Sequence, residues 1–182
     1  MEVPSGESLG DIIRSTQFDE STAFVAFYQL LSVLSAIHDQ KIVFKDIRPE
    51  NIFVDSEGNA RLGDFGIAKI LEVEGNLEKM IEYSGDYGAP EFLEKGKYDY
   101  KFDIFSLGVV VYQMLTGGVP FKCPEQKMQG EMISLPSTIN HQPIPQRHHH
   151  FNARPGQKKR PATTKNLRVL DKEYGTIQKG VA

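Results

Sequence analysis

Apolar side chains recur at three- and four-residue intervals between residues 19 and 40: Phe24, Phe27, Leu31 and Leu34, with Leu30, Val33 and Ile37 beside them. That spacing predicts a long helix with one face turned to a core. Asp19 or Ser21 suits its N-cap, because a short side-chain oxygen accepts from the open amides of the first turn. Two β-prone runs follow, Lys41-Ile42-Val43-Phe44 and Asn51-Ile52-Phe53-Val54, separated by Pro49. Asp55-Ser56-Glu57-Gly58-Asn59 then reads as a turn before Ala60-Arg61-Leu62, so a small hairpin is expected between residues 41 and 63. Residues 103 to 116 are apolar nearly all round. Such a segment is a helix buried on most sides, and Gly117-Gly118 followed by Pro120 ends it. After Cys123 the periodicity breaks at Pro124, Pro136, Pro143, Pro145 and Pro155; a last helix fits Ala162 to Leu170. The pattern as a whole predicts a mostly helical α+β fold.

Composition narrows the function classes. A length of 182 residues predicts one domain, or part of one, large enough for a core that needs neither disulfide nor metal. The formal net charge of -3 provides no basic footprint, so no nucleic-acid partner is expected. Cys123 is the single cysteine, which rules out an intramolecular disulfide and suits an intracellular, cytoplasmic setting. The longest apolar run, Ile104 to Leu115, is interrupted by Ser106 and Gln113 and falls short of the roughly 20 residues that cross a bilayer. No membrane partner is expected, and the first six residues have no signal-peptide pattern.

Phosphoryl transfer asks little covalent work of a protein. It needs a carboxylate to orient the attacking hydroxyl, hard oxygen ligands for Mg²⁺ and positive charge near the phosphates. Asp46, Asn51 and Asp64 can supply the first two, because Asp46 and Asn51 bracket the Pro49 loop and Asp64 follows the expected hairpin. Each of the three alone is an ordinary turn residue. Together with their neighbours they form a pattern. Phe44-Lys45-Asp46-Ile47-Arg48-Pro49-Glu50-Asn51 resembles the catalytic loop of eukaryotic-type protein kinases, with the Asp-to-Asn spacing kept. Asp64-Phe65-Gly66 resembles the magnesium-binding triplet of that family, and Ala89-Pro90-Glu91 the motif that closes its activation segment. Residues 103 to 121 resemble its buried central helix, and Arg160 the arginine that pairs with the glutamate at Glu91. Residues 62 to 68 look most like NIMA-related serine/threonine kinases.

The resemblance implies a kinase C-terminal lobe over residues 1 to 170, weakest between 123 and 157, with a tail at 171 to 182. It implies Asp46 and Arg48 as catalytic residues, Asn51 and Asp64 as cofactor and Mg²⁺ ligands, ATP and Mg²⁺ as cofactors, and a protein substrate. The Gly-rich loop and strand lysine of a complete kinase precede the hinge, which the resemblance places at Met1 to Leu9. An absent N-lobe is therefore expected, to be supplied by upstream sequence, with Gly6 to Gly10 an ordinary loop and activity of this chain alone weak or nil. Phe44 stands for the family histidine and preserves its packing. Lys45 stands for an arginine and offers a point charge instead of a planar fork. Arg48 stands where serine/threonine kinases place a lysine. Ser84 holds the position of a threonine that marks serine/threonine specificity. The alternative is a pseudokinase or scaffold lobe acting by protein–protein contact. His148-His149-His150 reads as a solvated loop, Cys123 as inert, and Tyr83, Ser84 and Tyr87 as loop residues before any reading as phosphosites.

Overall fold

The computed structural model describes residues 6–63, 69–70, 85–95 and 99–135. In chain order these are β1 (Glu7–Ser8), α1 (Leu9–Ser15), α2 (Glu20–Asp39), β2 (Ile42–Val43), a 3-10 turn at Pro49–Asn51, β3 (Ile52–Val54), β4 (Ala60–Leu62), β5 (Lys69–Ile70), α3 (Pro90–Lys95), α4 (Tyr100–Thr116) and α5 (Pro124–Gln129). The expected helices at 19–40 and 103–116 are α2 and α4. Of the two candidate caps for α2, Asp19 takes the role: its Oδ1 accepts from the Thr22 amide at 2.7 Å. Asp99 caps α4 by accepting from Lys101 N at 2.7 Å, which carries its start upstream of residue 103. The final helix expected near 162–170 lies outside the described residues.

The hairpin forms between β3 and β4, with Ile52 opposite Leu62 and Val54 opposite Ala60. Its turn is built by Asp55, whose Oδ1 accepts from Glu57 N at 3.0 Å and Asn59 N at 2.9 Å. Gln29 of α2 fixes the next strand by accepting from Ala60 N at 2.8 Å and donating to Asn59 Oδ1 at 3.0 Å. The run at 41–44 is not part of this hairpin: β2 pairs antiparallel with β5, Ile42 opposite Ile70. Gly6 to Gly10 likewise differ from an ordinary loop. Glu7 and Ser8 add an antiparallel strand to β3, and α1 begins at Leu9 with Ser8 Oγ accepting from Asp11 N. Gly6 is required there, because a Cβ would lie 2.3 Å from the Val54 carbonyl oxygen.

The core has two clusters. One joins α2, α4 and the hairpin through Leu30, Leu31, Leu34, Phe44, Ile52, Ile104 and Leu107. The other gathers Ala89, Phe92, Phe102, Phe105, Val109 and Phe121 on the opposite side of α4. By length and hydropathy α2 is apolar enough to cross a membrane, yet its apolar face is spent in the first cluster, the arrangement of a core helix.

Candidate active site

The loop from Phe44 to Asn51 hangs from one buried carboxylate. Asp103, on the first turn of α4, is fully buried among apolar neighbours, so its charge must be satisfied inside the protein. Its Oδ2 accepts from Phe44 N at 2.8 Å and lies 2.7 Å from His38 Nε2, and its Oδ1 accepts from Lys45 N at 2.8 Å. The His38 ring in turn packs on Tyr100, with centroids 4.9 Å apart. These bonds hold Lys45 in the left-handed region at φ 73°, a conformation that costs an L-residue about 1–2 kcal/mol. Phe44 is fully buried in the first cluster and Lys45 is 4% exposed, whereas Asp46 stands half-buried. The strained residue therefore turns the chain so that Asp46 is presented between the buried Lys45 and Ile47.

Asn51 closes the loop onto Asp46. Its Nδ2 donates to the Asp46 carbonyl at 3.0 Å and to Asp46 Oδ2 at 2.6 Å. Both partners only accept, so this side of the amide is its nitrogen, and Oδ1 is left as the oxygen donor. Asn51 N donates to Arg48 O at 3.0 Å, and Asn51 O accepts from Gly63 N at 2.8 Å, which ties the residue before Asp64 to the same loop. Asp64 itself, with Phe65 and Gly66, lies outside the described residues. Among the described residues no group of three or more His, Cys, Asp or Glu side chains is arranged to hold a metal. An amide oxygen and a carboxylate are nonetheless the hard donors Mg²⁺ prefers, so Asn51 and Asp64 fit the ion by chemistry.

Arg48 donates through Nε to Glu50 Oε2 at 2.8 Å, and its guanidinium lies 5.8 Å from the centre of the Tyr87 ring. The bond to Glu50 raises the Arg48 pKa against the cost of burial, and the charges of Glu50 and Asp46 add to the rise. Burial pushes the Glu50 carboxyl up, but the Arg48 hydrogen bond and charge bring it below its usual value overall. Burial also lifts the Tyr87 phenol, reinforced by the Glu50 charge and opposed by Arg48, to about 12. Tyr87 therefore stays protonated and donates to Gln113 Oε1 at 2.6 Å.

The structure thus brings Asp46, Arg48 and Asn51 together. Ser84, Tyr83, Arg160 and the histidines at 148–150 lie outside the described residues. Glu91 is buried at the first turn of α3. Asp103 was missing from the candidate residues, although a lone carboxylate in an otherwise apolar helix is a legible signal of a buried network.

Comparison with known proteins gives a consistent result. Residues 1–167 match the protein kinase domain family. Human ribosomal protein S6 kinase alpha-3 is 40% identical over 120 residues, covering 64% of this chain and 16% of that protein. The serine/threonine-protein kinase cds1 of Schizosaccharomyces pombe is 35% identical over 138 residues, covering 72% of this chain and 30% of its own length. The SNF1-related protein kinase catalytic subunit alpha KIN12 of Arabidopsis thaliana is 33% identical over 144 residues, covering 76% and 29%. The chain spans less than a third of each of these relatives.

Proposed function

The chain belongs to the protein kinase family, and on that premise we propose that its site serves phosphoryl transfer from ATP to serine or threonine hydroxyls of a protein substrate. The observation that carries the reading is the Asn51 amide bonded to both the carbonyl and the carboxylate of Asp46, which orients that carboxylate at the mouth of the loop.

In the proposed reaction the substrate hydroxyl oxygen forms a bond to the γ-phosphorus, the bridging bond to the β-phosphate breaks, and ADP leaves. Asp46 holds the hydroxyl in line and takes its proton. Asn51 and Asp64 would hold Mg²⁺, which would supply positive charge against the phosphate oxygens. Arg48 adds a second positive charge that Glu50 keeps in place. Ser84, by its distance from Ala89, supports serine/threonine over tyrosine specificity.

Thermal shift with ATP, in the presence and absence of Mg²⁺, tests the site. A ligand that binds the folded state at about 100 times its Kd raises stability by about 2.7 kcal/mol. A magnesium-dependent rise that disappears in Asp64→Ala is expected. Transfer to a serine peptide is expected to fall about 10²–10⁴-fold in Asp46→Asn while the thermal shift remains. No shift at millimolar ATP overturns the reading in favour of a scaffold lobe acting by protein contact.

A further inference from the structure

Lys127 lies on a short surface helix, α5, yet it is 4% exposed, whereas its neighbour Met128 is 40% exposed. A lysine is rarely buried unless its ammonium finds acceptors. Here Nζ donates to the carbonyl of Gly85 at 3.0 Å and to the carbonyl of Asp86 at 2.8 Å. The next carbonyl along, that of Tyr87, accepts from Ser106 Oγ of α4 at 2.9 Å. Three successive carbonyls are thus satisfied by side chains of two helices. The same short segment ends in the Tyr87 ring, under the Arg48 guanidinium, with its hydroxyl on Gln113. Burial lowers the Lys127 pKa and the Asp86 charge opposes that fall, so the acidic neighbour helps keep the ammonium charged.

We infer that Lys127 is a positioning residue for the protein substrate: its ammonium fixes the backbone of residues 85 and 86, and with it the Tyr87 ring that lies under the Arg48 guanidinium of the Asp46 loop. This rests on the kinase reading above for the nature of the substrate, but the clamp itself is a property of the fold. Ser106 and Gln113 anchor the segment to the central helix. Lys127 is the described side chain that joins it to α5, so the position of α5 is transmitted to the loop beside the catalytic carboxylate. A neutral side chain of similar length leaves two carbonyls without their donor and frees the segment locally. An arginine keeps the charge and can serve both carbonyls.

The test compares the full chain with Lys127→Met and Lys127→Arg. Hydrogen exchange read by mass spectrometry is expected to speed up about tenfold over residues 85–89 in Lys127→Met, with α2 and α4 unchanged, and to stay near the parent rate in Lys127→Arg. With a serine peptide, KM for the peptide is expected to rise about fivefold in Lys127→Met, while kcat and KM for ATP hold within about twofold. Absence of transfer by the parent chain, whose activity alone is expected to be weak or nil, leaves the exchange result to decide the clamp. Unchanged exchange at 85–89, or equal acceleration throughout the chain, overturns it. A measurement on the parent protein is independent of any variant's folding: nitrogen-resolved NMR of labelled lysine is expected to show a slowly exchanging ammonium signal that is lost on Lys127→Arg. A spectrum in which every lysine ammonium exchanges at the solvent-exposed rate also overturns the inference.

Discussion

Truncating Asp103 takes one shared carboxylate from three groups at once. The Phe44 and Lys45 amides lose their acceptors in a dry environment, and His38 loses the carboxylate that holds its ring. Removing one partner of a buried, hydrogen-bonded charge pair costs about 3–5 kcal/mol, so Asp103→Ala is expected to lower stability by about that much in urea unfolding. A loss below about 1 kcal/mol would show that the loop does not depend on this carboxylate. Tyr87 supplies a pH signature. Its phenol titrates near 12 when folded against an ordinary value of 10, so the folded state favours the neutral form. That contribution is complete below pH 10 and is lost as the pH rises through about 12. Difference absorbance of tyrosinate, parent chain minus Tyr87→Phe, is expected to show the high midpoint, and a midpoint near 10 refutes the burial argument. At this scale the sequence singled out Asp46 and Asn51, which the structure brings into hydrogen-bond contact, because their spacing is local. It did not disclose their suspension from Asp103, which is 58 and 59 residues from the loop amides it binds and 65 from His38.

At the scale of elements, the end of α4 isolates one effect cleanly. Gly117 adopts φ 76° and donates to the Gln113 carbonyl at 2.7 Å. A Cβ built there meets nothing within 4 Å, so Gly117→Ala adds backbone strain without a clash. The expected loss is about 1 kcal/mol, readable as a lower Tm, and a much larger loss would mean that the glycine packs against something. Both long helices were legible because apolar periodicity and caps repeat the same message over several turns. The short strands were less so. β2 carries an apolar pattern suited to a hairpin, yet its partner is β5, because a two-residue strand encodes no register and the longer chain decides its pairing. β1 was hidden for the opposite reason: Glu7-Ser8 has no strand propensity and joins the sheet through its backbone, where Gly6 allows close approach to Val54. α5 was obscured by Pro124, which breaks helix interiors but is well suited to a first turn.

At the scale of the whole molecule, α4 is the wall between two cores with different duties. The first cluster contains Phe44, Ile47 and Ile52 and so carries the Phe44–Asn51 loop. The second contains Ala89 and Phe92 and so carries the segment facing it, and Tyr87 packs against both. The division follows from helix geometry, since successive residues on a helix point in different directions. Ile104 and Phe105 are sequence neighbours, both fully buried, and they belong to different clusters. If the wall is rigid, damage on one side should not be felt on the other. Ile104→Val is expected to cost about 0.5–1.5 kcal/mol through a lost methyl group, and Phe105→Leu to cost about as much through imperfect refilling of the ring's space. The double variant is expected to equal their sum within about 0.5 kcal/mol, in denaturant unfolding with unchanged slope. A coupling above about 1 kcal/mol would mean that strain crosses α4 and that the two clusters respond as one core. Additivity would mean that the Phe44–Asn51 loop and the segment facing it can be adjusted separately, although Tyr87 packs against both clusters.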